Sequence, residues 1–405
     1  MKLVFNSIWL AAALTAGGCG SSSGDDGAEP DARPQVLASD TPISGLSPDD
    51  LASFQNGDAL FDLPFRPADG LGPLFVRTSC GACHSDGARG PGLVQKMAVV
   101  EADGVTAAAD QSELLWGHSE RAGLAAGATT PIAPPDDPDV KVTIRLGPPV
   151  FGRGYMEAVA DSELTRIAGV EAQRTDGIHG VLSMETYASV PNPANTFSTY
   201  QMGDTVIGRF GVKARIATLD DFAADAFQGD MGLTTPMRPT ELPNPDGLTD
   251  DLRPGVDLGQ DHVDRVAFYV RRIAIPARVG LTDAGAQLFD QVKCTGCHTP
   301  TLHTRADYPI PQLADIDAPI YTDLLLHDMG TALADGMTDG GTSLTWRTAP
   351  LIGLRFSLSF LHDGRAATVA DAIMQHAGEA AGSRDAFAAL SADDQATLLA
   401  YVQAL

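Results

Sequence analysis

Apolar residues recur at helical spacing in only a few stretches of this chain, and those stretches form two groups on either side of a long irregular span. Ser47-Pro48-Asp49-Asp50 opens the first, with a serine cap, proline in the first turn and acid beside the helix N-terminus. Leu51, Phe54 and Leu60 supply the apolar positions that follow. A second helix is predicted over residues 262–273, through Val263, Val266, Ala267 and Val270, and Pro276 ends it. Thr282-Asp283 opens a third, carrying Ala286, Phe289 and Val292. Further on, Thr368-x-x-Asp371 reads as a capping box, and Ser391-x-x-Asp394 starts a last helix bearing Leu398, Leu399, Val402 and Leu405. The span between the first two helices is rich in Gly and Pro, with residues 128–138 a loop, and strand patterns are sparse. The expected class is all-α, two domains with long loops and few strands.

The N-terminus changes the picture of where the protein works. Lys2, an apolar run through Trp9, Leu10 and Leu14, and small residues Ala16-Gly17-Gly18 ahead of Cys19 form an export signal over residues 1–18. A cysteine in that place predicts lipid on the Cys19 thiol, although Ala16 stands where leucine is commonest; plain secretion with cleavage near Cys19 is the alternative. Residues 19–46, rich in Gly, Ser, Asp and Pro, read as a flexible tether. The expected location is the periplasmic face of a bacterial membrane, the outer one favoured, or the cell surface. No later segment reaches the roughly 18 uninterrupted apolar residues of a membrane span. A net charge of −25 argues against nucleic acid and anionic lipid as partners and suits a basic protein partner.

Candidate chemistry is concentrated in two copies of C-x-x-C-H, Cys80-Gly81-Ala82-Cys83-His84 and Cys294-Thr295-Gly296-Cys297-His298. Thiols three positions apart can add across the two vinyl groups of one haem, and the next histidine reaches the iron. A zinc site would need a second ligand pair beside each motif, and none is there. A redox dithiol would not require histidine after both pairs. The spacing therefore predicts two covalent c-type haems, on Cys80/Cys83 with His84 and on Cys294/Cys297 with His298. Each motif follows a predicted helix, which divides the mature chain into two cytochrome c-like haem domains, 47–276 and 277–405. Among the other histidines, His376 follows Val369, Ala372 and Ile373 on one helical face and is the best second ligand for the C-terminal iron. His362, in His362-Asp363-Gly364-Arg365, reads as a turn residue. Met97, His118 and His179 are weaker candidates near the N-terminal haem, none on a clean face, so that iron is expected to keep an open position. Trp346 and Arg347 are expected to pack against the C-terminal haem; Glu157, Arg145 and Arg209 are candidates for the pocket or for haem carboxylates.

Gly72-Pro73-Leu74-Phe75, Gly208-Arg209-Phe210-Gly211, Asp230-Met231-Gly232, Tyr321 to Gly330, Trp346-Arg347-Thr348-Ala349-Pro350 and His362-Asp363-Gly364-Arg365-Ala366 together resemble the bacterial di-haem oxidoreductase family. That family is related to the di-haem cytochrome c peroxidases and to the di-haem enzyme that matures methylamine dehydrogenase. The resemblance runs from about residue 47 to the end. It implies a distal ligand fourteen residues after His362, which is His376, where the peroxidases use methionine and the maturation enzyme tyrosine. It also implies a catalytic acid twenty residues after an aromatic beside the N-terminal haem, which pairs Phe210 with Asp230. Two features depart from the pattern: the acid is Asp, and Val212 stands where close relatives carry tryptophan. Calcium occurs between the domains of related peroxidases, but no ligand cluster here is specific enough to assign it.

The resemblance implies a peroxidase that reduces hydrogen peroxide with electrons from a small donor protein such as a cytochrome c or cupredoxin. The rivals are a non-catalytic di-haem electron carrier and a di-haem enzyme that oxidises a partner protein or organic substrate.

Overall fold

The computed structural model describes residues 40–88, 92–125, 127–249 and 255–405, so the export signal and Cys19 lie outside the described residues. Nine α-helices occur among them: α1 (Pro48–Asp62), α2 (Arg153–Ala158), α3 (Asp161–Glu171), α4 (Leu219–Met231), α5 (Gln260–Arg272), α6 (Asp283–Gln291), α7 (Val369–Met374), α8 (Ala381–Ala388) and α9 (Ala392–Ala404). The predicted caps are in place. Ser47, Thr282, Thr368 and Ser391 each accept a backbone N–H at the start of their helix, and Thr368 with Asp371 forms the reciprocal box.

The two motif-bearing segments are built alike. α1 leads toward Cys80 and packs on α5; α6 leads to Cys294 and packs on α9. Each crossing depends on a glycine. A Cβ on Gly57 would lie 2.6 Å from the Arg265 carbonyl oxygen, and one on Gly285 would lie 2.4 Å from Tyr401 Cβ. Around the first crossing Phe54, Phe61 and Tyr269 join the larger core; around the second Phe289, Tyr401, Val402 and Leu405 form their own.

The all-α expectation needs correction. Ten short strands pair antiparallel into five two-stranded ribbons: β1 (Leu74–Phe75) with β3 (Gly123–Leu124), β2 (Leu93–Val99) with β4 (Val140–Leu146), β5 (Met184–Thr186) with β6 (Thr205–Ile207), β7 (Leu302–His303) with β8 (Asp317–Ala318), and β9 (Leu326–Asp328) with β10 (Thr345–Arg347). The longest ribbon alternates faces, so Val94 and Lys96 lie on the same side as Arg145 and Thr143, their cross-strand partners. Charged residues inside that ribbon hid its period from a reading tuned to helices, because its polar face is buried rather than wet.

The end of the segment read as a tether belongs to the fold. Ile43 is buried and donates its N–H to the Arg272 carbonyl at 2.8 Å, while Ala274 donates to the Thr41 carbonyl at 2.8 Å. Both motif-bearing halves lie within one compact unit, Val36–Leu405. No helix among the described residues is long and apolar enough to cross a membrane.

Candidate haem sites

The C-terminal motif opens into a cavity with about 1680 Å³ of atom-free space, its mouth included. Cys294, Cys297, His298 and His376 line it, together with Met329, Trp346, Arg347 and His362. His298 Nδ1 donates to the Tyr321 carbonyl at 3.2 Å, and His376 Nδ1 donates to the Ala372 carbonyl at 2.7 Å. A carbonyl only accepts, so each Nδ1 carries the hydrogen and each Nε2 keeps its lone pair. Burial, and then the neighbouring His376 ring, lower the His298 pKa to about 4, and burial lowers that of His376. Both rings are therefore neutral bases at pH 7, the form that binds a metal. His376 lies two residues past the end of α7 rather than on its apolar face. Met374 is exposed, whereas Met329 shares the cavity wall with His376.

At the N-terminal motif His84 repeats the arrangement, its Nδ1 donating to the Pro148 carbonyl at 2.8 Å. Gly92 and Gly147, at the ends of the β2–β4 ribbon, close on the motif: a Cβ on Gly92 would lie 2.4 Å from Cys83 Sγ, and one on Gly147 would lie 2.9 Å from His84 Cε1. Cys80 and Cys83 are free thiols, as are Cys294 and Cys297. Burial, and then the Asp230 carboxylate, push Cys80 up to about 12 and Cys83 to about 11. Asp230, in the last turn of α4, is thus near enough to act on both thiols through its charge, and the final carbonyls of that helix are held by the Gly72, Val76 and Arg77 N–H groups. Burial raises the Asp230 pKa, the Lys96 ammonium opposes the rise, Asp225 adds to it and Arg215 opposes it.

The other candidates separate cleanly. Phe210 is buried against Phe222, ring centroids 6.4 Å apart, and Phe222 carries the Arg215 guanidinium at 5.9 Å. Met97 belongs to a separate small core with Leu74 and Ile132, and His118 Nδ1 donates to its carbonyl at 3.1 Å. His179 lies with the C-terminal site, donating its N–H to Glu379. Glu157 and Arg209 serve the framework. Glu157 accepts from Arg271, Tyr308 and the Leu219 N–H, and Arg209 donates to the Val159 carbonyl and pairs with Asp161.

Two features escaped the sequence reading. His327, buried in β9, donates Nε2–H to Asp323 at 2.9 Å and Nδ1–H to Glu379 at 2.8 Å, and stands 3.7 Å from Cys297 Sγ. With both nitrogens given to carboxylates its pKa is raised, so it is an imidazolium and offers no lone pair to a metal. A buried charged layer joins Arg145 to Asp335 and Asp339 at 2.6 and 2.7 Å, with Lys213 at 3.3 Å from Asp335. Its members are scattered along the chain, and no local pattern links them.

Residues 135–405 match the family model described as "Di-haem oxidoreductase, putative peroxidase". The chain belongs to the di-haem oxidoreductase family. Two haems are implied, and the residues present fit them: three imidazoles with fixed Nδ1–H groups, two pairs of free thiols and, at the C-terminal motif, a cavity of sufficient size. No curated protein matches the chain. Among solved structures, this di-haem oxidoreductase aligns with the diheme peroxidase BthA of Burkholderia thailandensis E264 at 13% identity and TM-score 0.37, over 90% of this chain and 87% of that one. It aligns with a MauG-like protein associated with microbial copper homeostasis at 14% identity and TM-score 0.33, over 92% and 94%. Hydrazine synthase of Kuenenia stuttgartiensis aligns at 13% and 0.39, over 99% and 100%.

Proposed function

We propose that the chain is an exported, lipid-anchored c-type peroxidase, with haem bound covalently at Cys80/Cys83 and at Cys294/Cys297. The observation that carries this reading is the asymmetry between the sites. Two neutral histidines, His298 and His376, share one cavity, whereas the Cys80/Cys83 pair that precedes His84 feels the charge of the Asp230 carboxylate. Bound haem supplies iron-centred one-electron chemistry and, at an open coordination position, cleavage of the peroxide O–O bond.

The chain's own residues then divide the work. His298 and His376 hold the electron-receiving site with two imidazoles, and His84 anchors the other site from one side. Asp230 accepts a proton from one peroxide oxygen and returns it to the other, so that the departing oxygen leaves as water. Lys96 and Arg215 keep the ionised form of Asp230 within reach after it has given its proton. The acidic surface favours a small basic electron donor in the periplasm, and Cys19 carries the lipid.

The deciding experiment is a spectrum of the purified protein, oxidised and half-reduced, before and after hydrogen peroxide. A high-spin component that peroxide converts, beside an unchanging bis-imidazole signal, is the expected result. Two low-spin haems inert to peroxide in every redox state would make the chain an electron carrier.

A further inference from the structure

His84 and His298 each donate to a carbonyl, but the two carbonyls are held by different means. At His84 the acceptor is Pro148, whose ring fixes φ, and Pro149 behind it restricts ψ, so the chain itself aims that oxygen. At His298 the acceptor is Tyr321, in the loop between β8 and β9, and no proline ring constrains it. Tyr321 has a φ of 49°, in the left-handed region, where a side chain crowds its own backbone. A residue of this size stays there only when its surroundings hold it.

Those surroundings close on one ring. The hydroxyls of Tyr321 and Tyr401 share a hydrogen bond 2.8 Å long, and both residues are buried. The Arg278 guanidinium lies 4.9 Å from the Tyr321 ring centroid, and Phe289 meets the ring edge-on at 5.9 Å. Tyr401 comes from α9 and Phe289 from α6, and Gly285 lets these helices approach closely at Tyr401. The crossing that leads to Cys294 therefore also holds the residue that faces His298. On its main-chain side the Tyr321 carbonyl serves two donors, His298 Nδ1 at 3.2 Å and the Leu351 N–H at 3.4 Å. Both bonds are long, so a small rotation of this peptide changes how well it accepts from the imidazole.

We infer that Tyr401 and Tyr321 form a clamp that positions His298: the hydroxyl pair holds Tyr321 in its left-handed conformation, and the Tyr321 carbonyl thereby sets the orientation and basicity of the imidazole. Both are positioning residues, and neither belongs to the wall of the cavity. The inference rests on His298 being an iron ligand, as proposed above. A stronger Nδ1–H bond makes the imidazole a more basic ligand and favours oxidised iron, so loosening the clamp raises the potential of that haem. The carbonyl facing His84, fixed by its prolines, has no such adjustment.

The test uses the holoprotein, as wild type, Tyr321→Phe, Tyr401→Phe and the double variant, each substitution keeping the ring and removing one hydroxyl. Haem content, both midpoint potentials and the exchange of the His298 Nδ1 proton, followed by NMR in the reduced protein, are measured together. Each single variant is expected to raise the C-terminal potential and leave the N-terminal one unchanged. Exchange of the Nδ1 proton should quicken by about fivefold, the factor that corresponds to one buried neutral hydrogen bond. The double variant should match either single one, because both substitutions remove the same bond. Tyr401→Phe leaves the loop sequence untouched, so it carries the test alone if Tyr321→Phe does not fold. Unchanged C-terminal potential and exchange in Tyr401→Phe overturn the clamp, as do effects that add in the double variant or equal shifts at both haems. Fewer than two haems per chain, or a wild-type C-terminal spectrum without histidine ligation, overturns the reading of His298 instead.

Discussion

His84, His298 and His376 each commit Nδ1–H to a backbone carbonyl, which fixes the tautomer before any metal arrives. Replacing His376 with methionine is expected to raise the midpoint potential of the C-terminal haem and to abolish its bis-imidazole spectrum, read by redox titration and near-infrared dichroism. A wild type that already shows a histidine–methionine spectrum, unchanged in the variant, would hand the ligand position to Met329, which lines the same cavity. Asp230→Asn should leave haem content untouched and lower peroxide turnover by roughly 10²–10⁴-fold, the usual loss when a general acid–base group is removed. Undiminished turnover would take Asp230 out of the mechanism. Glu171 gives a pH prediction. Burial, and then Asp323, raise its pKa to about 7, against the ordinary 4.5. A folded-state pKa above the unfolded one means the native state binds the proton more tightly, so its contribution is present below the ordinary value and is lost as pH rises through 7. Thermal midpoints should therefore decline with that slope in wild type, and Glu171→Gln should flatten it.

At the scale of elements, the helices were legible and the ribbons were not. The caps at Ser47, Thr282, Thr368 and Ser391 use local chemistry, a side-chain oxygen and a backbone N–H three residues on, which a sequence displays directly. The C-x-x-C-H motifs are equally local. β2 and β4 are separated by some forty residues, and their shared face carries Lys96 and Arg145; the carboxylates paired with Arg145, Asp335 and Asp339, come from the far end of the chain. Asp230 was placed by its distance from Phe210, yet its electrostatic reach to Cys80 and Cys83 depends on how α4 docks, which spacing does not encode. α7 is only six residues long and precedes His376 by two, so its cap has a functional reach. Thr368→Ala is expected to cost about 1 kcal/mol of stability by loss of the cap. It should also raise the share of five-coordinate C-terminal haem on warming, measured from the temperature dependence of the low-spin bands.

Over the whole molecule the excess of acid, a net charge of −25, would steer the encounter with the proposed basic donor. Electron delivery from a basic cytochrome or cupredoxin should slow steadily as ionic strength rises, because the screening length falls from about 10 Å at 0.1 M to about 3 Å at 1 M. A rate indifferent to salt would point to an apolar docking face instead. Charge follows from composition and needed no coordinates; the cavity walls did, since Pro148 and Trp346 come from opposite sides of residue 277 and line one space. The pairing of Thr41–Ile43 with Arg272–Ala274 ties the entry of the chain to the start of the crossover between its two halves. A molecule held by its leading end would carry mechanical load there first. Tension would run along two short main-chain bonds into the crossover and bypass α1, leaving the helix that approaches Cys80 slack while the anchor is pulled.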